Sequence, residues 1–340
     1  MKLPRIHHSL RLILPVFFLC LIGKAASSQT KQNMRITFGS CNRQDLPQPM
    51  WDFIAADKPD LWIWLGDNIY GDTDDMNVLK EKYAIQKNQA DYKKFTSKVP
   101  VIGVWDDHDY GRNDAGKQYP YKKESQQIAL DFLDEPKESS RRKQEGIYTS
   151  NTYKVGSKTV KVILLDARYH RDTLMKDTNK KYILNTSGDI LGETQWKWLA
   201  SELASNADAY IIASGIQFLS EEHPYEKWAN FPVAKKRFLD LLKSSKPKGV
   251  ILLSGDRHIG EFSKTSISGL DFPLYDITSS GMTHSATNNS GERNKYRVGP
   301  LVNQKHYGVM DISESDKQLT VKMQLKGIET PVYHTEQVTF

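Results

Sequence analysis

Short apolar runs alternate along the chain with polar clusters, and several of those clusters begin where a run stops. The sharpest case is LWIWLGDNIYGD, residues 61–72. Residues 61–65 are all apolar, Gly66 closes the run, and Asp67, Asn68 and Tyr70 follow. A run of that length, rich in aromatic and β-favouring side chains, predicts a buried strand that opens at Gly66 into a loop. In open α/β folds ligands gather at the carboxyl ends of strands, so this loop is a candidate site.

The same reading predicts strands over 34–38, 99–105, 146–155, 159–165, 209–213 and 249–253, with a β pattern from Glu261 onward. Helices are predicted over 49–56, 78–92, 125–133, 192–205 and 233–242. Residues 135–143 read as a charged, mobile linker, and mobile loops are expected after Thr283. No internal repeat or domain boundary interrupts the strand–loop–helix units, which suggests a layered α/β sandwich. Five strands end in polar clusters, at Cys41, Asp67, Asp107, Gln217 and Asp256.

The first 28 residues stand outside this pattern. A basic stretch, an apolar stretch over 12–23 and the small residues Ala25-Ala26-Ser27-Ser28 predict a secretory signal peptide, too short in its apolar part to span a bilayer. Leu19 stands where a lipidated Cys20 would need a small neighbour, so no lipid anchor is expected. The mature chain is expected to be exported, to the periplasm or the exterior. Lys2, Arg5, Arg11 and Lys24 carry four of the six net positive charges, which leaves +2 for the rest. That balance gives no case for nucleic-acid binding by bulk charge. Cys41 is then the one remaining cysteine, so no intramolecular disulfide is expected. A lone thiol in an oxidising compartment is buried and inert, or it serves as a ligand or a nucleophile.

Carboxylates, an imidazole, a phenol and a thiol at several strand ends suit a binuclear metal site. Thiolate, phenolate and imidazole favour a transition metal, while carboxylate, amide and water suit a harder cation. Two metals held together could clamp a phosphoryl group and activate water.

The set GSC (39–41), GDNIY (66–70), WDDHDYGRND (105–114) and SGDRH (254–258) resembles the alkaline phosphatase D (PhoD-like) family of the metallophosphoesterase superfamily. The resemblance runs from Arg35 to about His284 and implies a four-layer α/β/β/α sandwich, with 29–340 as a single domain. It implies that Asp67 bridges two metals and that Cys41, Tyr70 and His258 complete the first. Asp107 and Asp256, with Gln217 on a short GIQF match, would hold the second. The family implies a ferric ion in the first position and calcium in the second, with Zn, Mn or Mg as alternatives. His108 would protonate the leaving oxygen, and Arg257 would assist at the phosphate. The implied reaction is hydrolysis of a phosphate ester, monoester or diester, with phospholipid among the substrates left open.

Each residue also has a plainer reading. Cys41 could be a structural thiol or a nucleophile, and Tyr70 could pack on the sheet. Asp106 and Asp109 are read as holding the loop. Asn68 and Asn113 are turn formers or substrate contacts, and Arg43, Arg168 and Arg257 are phosphate contacts or ion pairs. The stretch 223–231 (HPYEKWANF) suggests a pocket rim of Tyr225, Trp228 and Phe231, or else core. Residues 72–77 resemble the start of a calcium loop but lack its glycine and glutamate. The rival function is a non-catalytic secreted metal-binding protein.

Overall fold

Alternation within the strand Leu61–Leu65 assigns two layers at once. Leu61, Ile63 and Leu65 face a core shared between two sheets, while Trp62 and Trp64 face helices. Successive strand residues point to opposite faces, so a strand buried on both sides reads as one continuous apolar run. The computed structural model describes Met1 and residues 31–288 and 291–340. The predicted leader, with Cys20, lies outside the described residues.

The first sheet runs in the order His334–Thr339, Gln318–Lys326, Tyr307–Ser315, Asn33–Gly39, Leu61–Leu65, Val101–Val104. Its last three strands are parallel. The second sheet runs Arg297–Val302, Gly260–Ser266, Pro273–Ser279, Val250–Ser254, Ala209–Ala213, Lys158–Leu164, Thr149–Val155. Its four strands from Pro273–Ser279 to Lys158–Leu164 are parallel. Met310, Phe38 and Ile63 from one sheet share a core with Ile211, Ile251 and Ile277 from the other. Helices Met50–Ala56, Met76–Asn88 and Lys122–Phe132 cover the first sheet, and Gly192–Leu203 and Pro232–Ser245 cover the second. This is the expected α/β/β/α sandwich.

Three expectations need correction. The helix expected over 78–92 is two helices, Met76–Asn88 and Ala90–Thr96, because Gln89 adopts extended ψ (126°) between them. The segment 135–143 is tethered. Arg141 is buried there and donates from Nε to the Ile147 carbonyl (2.7 Å) and from Nη2 to that of Gly103 (3.2 Å). After Thr283 the chain returns to regular structure in four strands from Arg297 onward, three of which build half of the first sheet. Among the described residues no helix is long and apolar enough to cross a membrane.

Candidate metal centre

The parallel strands of both sheets end on the same side, and their polar ends converge. Asn33–Gly39 delivers Cys41, Leu61–Leu65 delivers Asp67, Val101–Val104 delivers Asp106 and Asp107, and Val250–Ser254 delivers Asp256 and His258. Cys41, Asp67, Asp256 and His258 all sit at positive φ, between 47° and 68°. Left-handed backbone at residues other than glycine is costly and persists where the surroundings enforce it. Such strain concentrates at functional sites. Gly66 (φ +94°) lets the turn pass Asp106, since a Cβ there would stand 2.5 Å from that residue's own Cβ.

Asp67 lies between two donor sets. On one side its Oδ2 is 3.4 Å from Cys41 Sγ and 3.5 Å from the Tyr70 hydroxyl. Tyr70 is in turn 2.9 Å from His258 Nε2 and 3.0 Å from His284 Nε2. On the other side, ligand atoms of Asp67, Asp107 and His108 lie within 4.8 Å of one another, as do those of Asp106, Asp107 and Asp256. Thiol, phenol and the imidazoles of His258 and His284 thus cluster on one flank, and carboxylates with the His108 imidazole on the other.

The donor sets fit bound cations. Asp67 Oδ1 and Asp256 Oδ2 are buried with no hydrogen-bond partner, although buried polar atoms are normally satisfied. Burial, reinforced by Cys41 and Asp107, pushes the Asp67 carboxyl well above its ordinary range. Burial raises Asp256 to about 7, with Arg257 opposing and Asp107 adding to the rise. Burial raises the Cys41 thiol to about 11, against the hydrogen bond from Ser280. Buried like charges of this kind need positive charge nearby, which a divalent or trivalent ion would supply.

The remaining polar residues hold this arrangement. Asp109 accepts from the backbone N–H groups of Asp67 (3.2 Å), Asn68 (3.1 Å) and Asp106 (2.6 Å), which ties two strand ends together. Asp106 accepts from Arg168 Nε at 2.6 Å. The loop-holding reading of both aspartates agrees with these contacts, although Asp106 also stands among the carboxylates. Arg168 is fully buried between Asp106 and Glu226 (Nη1 to Oε2, 2.6 Å), so it is an ion pair rather than a phosphate contact. Truncating Arg168 to Met should lower stability by about 3–5 kcal/mol, because Asp106 would stay buried without its counter-charge and Glu226 would keep only Arg171 (Nε to Oε1, 2.8 Å). Urea unfolding of the metal-free protein measures this, and a loss under about 1 kcal/mol would contradict the assignment.

Arg43 pairs with Asp45 (2.6 Å) on the surface, and only Arg257 of the three arginines reaches the cavity beside the acids. That cavity, of about 780 Å³, is lined by Asp107, His108, Asn113, Asp256, Arg257 and His258, among others. Asn68 donates to the Val104 carbonyl (2.9 Å) and does not line it. Gln217 is fully buried, and its amide nitrogen donates to Glu261 and Thr278, both at 2.7 Å. Trp228 and Phe231 belong to the core under the helix Pro232–Ser245, and Trp228 Nε1 donates to Ser214 Oγ (3.1 Å). The rim reading survives only for Tyr225, whose ring lies 3.9 Å from the Arg257 guanidinium.

Cys41 is fully buried and hydrogen-bonded to Ser280 Oγ at 2.9 Å, a poor position for a nucleophile. Asp72, considered only as part of a failed calcium loop, accepts from His108 Nδ1 at 2.7 and 2.9 Å. His284, which in the sequence marks only the limit of the family resemblance, also reaches the Tyr70 hydroxyl. Its signal was a strand running into Ser279-Ser280-Gly281, the same strand-to-glycine pattern that flagged Asp67.

A family model for PhoD-like phosphatases matches residues 37–323. Alkaline phosphatase D of Bacillus subtilis (strain 168) is 23% identical over 306 residues, covering 73% of this chain and 51% of that protein. The chain therefore spans about half the length of that curated relative. A solved structure described as PhoD superposes with a TM-score of 0.72 at 18% identity, covering 91% of this chain and 69% of the other. A dimetal phosphatase from Danio rerio superposes at 0.52 and 12% identity, covering 90% and 98%. At those identities the superpositions establish the fold alone. The family match spans most of the chain and contains every strand end that feeds the centre. The chain belongs to the PhoD-like phosphatase family.

Proposed function

We propose that this chain is an exported, metal-dependent phosphoesterase, with Cys41, Asp67, Tyr70 and His258 holding a first cation and Asp67, Asp107 and Asp256 a second. The observation that carries the proposal is Asp67, buried with an unpartnered oxygen between a thiol–phenol–imidazole set and a carboxylate set. The donor chemistry suits a transition metal for the first and a harder cation for the second; the family resemblance implies iron and calcium. Gln217, whose buried Oε1 has no partner, is the remaining candidate ligand for the second cation in this proposal. Two such cations, once bound, clamp a phosphoryl group and supply an activated water.

The protein's own groups account for the rest of the reaction. His108 Nδ1–H donates to Asp72, which orients the ring and leaves Nε2 to hand a proton to the departing oxygen. Burial pulls the imidazolium value down, but the Asp72 hydrogen bond and the Asp107 charge outweigh it, and His108 is raised from its ordinary value. Arg257, on the cavity wall, faces the substrate. A cavity of this size exceeds what a bare phosphate needs, which supports ester groups on the substrate.

Turnover of bis-p-nitrophenyl phosphate and p-nitrophenyl phosphate by the metal-loaded chain tests the proposal. No turnover of either would favour the non-catalytic metal-binding alternative. His108→Asn should cost about 10²–10⁴-fold in kcat on alkyl esters and far less on p-nitrophenyl esters, whose leaving group needs no proton. Equal losses on both would remove His108 as the acid. An acid must be protonated to act, so activity falls as pH rises through the His108 value. Asp72→Asn lowers that value and should move the basic limb of the pH–rate profile to lower pH; an unmoved limb would contradict the pairing.

A further inference from the structure

The cavity is lined by two residues with buried donors, Arg257, already placed at the substrate, and His223, which no part of the hydrolytic machinery uses. His223 is 3% exposed and lines the cavity. Its Nδ1 accepts the backbone N–H of Tyr225 at 3.3 Å, so in the neutral ring the proton resides on Nε2. Nε2 is buried and has no partner. Arg257, 9% exposed, leaves its Nε buried and without a partner in the same cavity, while Nη2 pairs with Glu292 at 2.6 Å. Tyr225 connects the two: its N–H fixes the His223 tautomer and its ring packs on the Arg257 guanidinium. Burial, with the nearby charges of Arg257 and Lys227, holds His223 neutral.

A buried N–H without an acceptor forfeits the hydrogen bond it had with water, and few native donors are left so. Two of them in one cavity, positioned by a shared aromatic residue, specify what is missing. We infer that His223 Nε2 and Arg257 Nε form a subsite that binds an acceptor oxygen on the ester group of the substrate, a hydroxyl or a carboxylate, and that His223 is a specificity-determining residue. The inference rests on the phosphoesterase reading and adds the chemistry of the ester group to it. It also distinguishes the two donors. Arg257 is charged and faces the substrate for any ester, whereas a neutral imidazole contributes only where an acceptor oxygen meets it. A site built around a fixed donor discriminates against analogues that lack the matching atom, because the donor is then left unpaired.

The test uses symmetric diesters, in which either ester group can occupy the cavity. Values of kcat/KM are measured by phosphorus NMR on the metal-loaded chain for diethyl, bis(2-hydroxyethyl) and bis(carboxymethyl) phosphate. The wild type should prefer one of the oxygen-bearing diesters over diethyl phosphate. His223→Phe, which keeps the ring and removes the donor, should reduce that preference roughly tenfold, the size of one lost hydrogen bond. His223→Gln, whose amide nitrogen reaches where Nε2 stood, should keep most of it. Whether the hydroxyl or the carboxylate diester carries the preference identifies the acceptor. A preference unchanged in His223→Phe would overturn the inference, as would an equal collapse in His223→Gln, which would make His223 a packing residue. In either case wild-type turnover would leave the phosphoesterase reading standing. Absence of turnover on every ester, the p-nitrophenyl ones included, would remove both.

Discussion

Asp67→Asn is expected to lower kcat/KM by about a thousandfold or more and to empty both cation positions. A neutral amide cannot serve two cations as a carboxylate does, and Lewis-acid stabilisation worth several kcal/mol would be lost, roughly three decades of rate. Metal content should fall for both ions together, whereas a ligand to one ion alone would lower one. The metal-free protein should respond in the opposite direction. Burial and the charges of Cys41 and Asp107 hold the Asp67 carboxyl well above its unfolded value, so its ionised form opposes folding. Asp256, raised to about 7, acts in the same sense. Folded protein then binds more protons than unfolded protein over the window from about 4 up to the raised values. Stability of the metal-stripped wild type should therefore fall as pH rises through that window. Asp67→Asn should flatten part of the fall, and bound cations should reverse it by binding only the folded state. Chemical denaturation at pH 5 and pH 8, with and without chelator, measures all of these. A metal-stripped wild type equally stable at both values would contradict the buried-carboxylate account.

These expectations depend on a site that the sequence discloses unevenly. Strand ends were legible because a doubly buried strand leaves an unbroken apolar run, and the polar residue that follows must lie at its end. Cys41, Asp67, Asp107, Gln217 and Asp256 are placed at strand ends on that logic, and the structure joins the thiol and the three aspartates in overlapping donor groups with His258, which the family resemblance adds. Second partners were not legible. Arg168 looked like any other arginine at a strand end, and only the fold places it between Asp106 and Glu226, far apart in sequence. Asp72 was misjudged for the same reason. Its neighbours 73–77 invited a comparison with calcium loops, while its actual partner His108 arrives from a different strand end. Aromatic residues misled in the reverse direction. Trp228 and Phe231 stand in a polar stretch that resembled a rim, yet the helix Pro232–Ser245 needs them beneath it. Sequence pattern reports whether a residue is apolar. It does not report which of two apolar surroundings, core or pocket, receives it.

Replacing Cys41 tests the identity of the first cation. The thiol is buried and raised to about 11 by that burial, so a cation must displace its proton, and that of the Tyr70 phenol, to be held by both, and affinity should rise with pH as those protons are released. If the ion is ferric, the thiolate and the Tyr70 phenolate donate charge to it and the protein absorbs visible light. A zinc ion has a filled d shell and leaves the protein colourless. Cys41→Ser should weaken the first cation by at least about a hundredfold, since a hydroxyl stays protonated near neutral pH and is a poor substitute. Content of the second cation should change less, because Asp107 and Asp256 are untouched. Cys41→Asp should be the milder change, as it restores an anionic ligand, although a carboxylate beside Asp67 adds repulsion when the cation is absent. A nucleophilic role for Cys41 requires another outcome: Cys41→Asp would abolish turnover with metal content unchanged, and iodoacetamide would inactivate the wild type. Metal analysis and absorption spectra of the wild type and both variants separate these cases. Loss of activity with full metal content would transfer Cys41 from ligand to nucleophile. A colourless, active protein without iron would remove the ferric assignment and leave the two-cation hydrolase intact, with Tyr70 and His258 still available to hold a different ion beside Asp67.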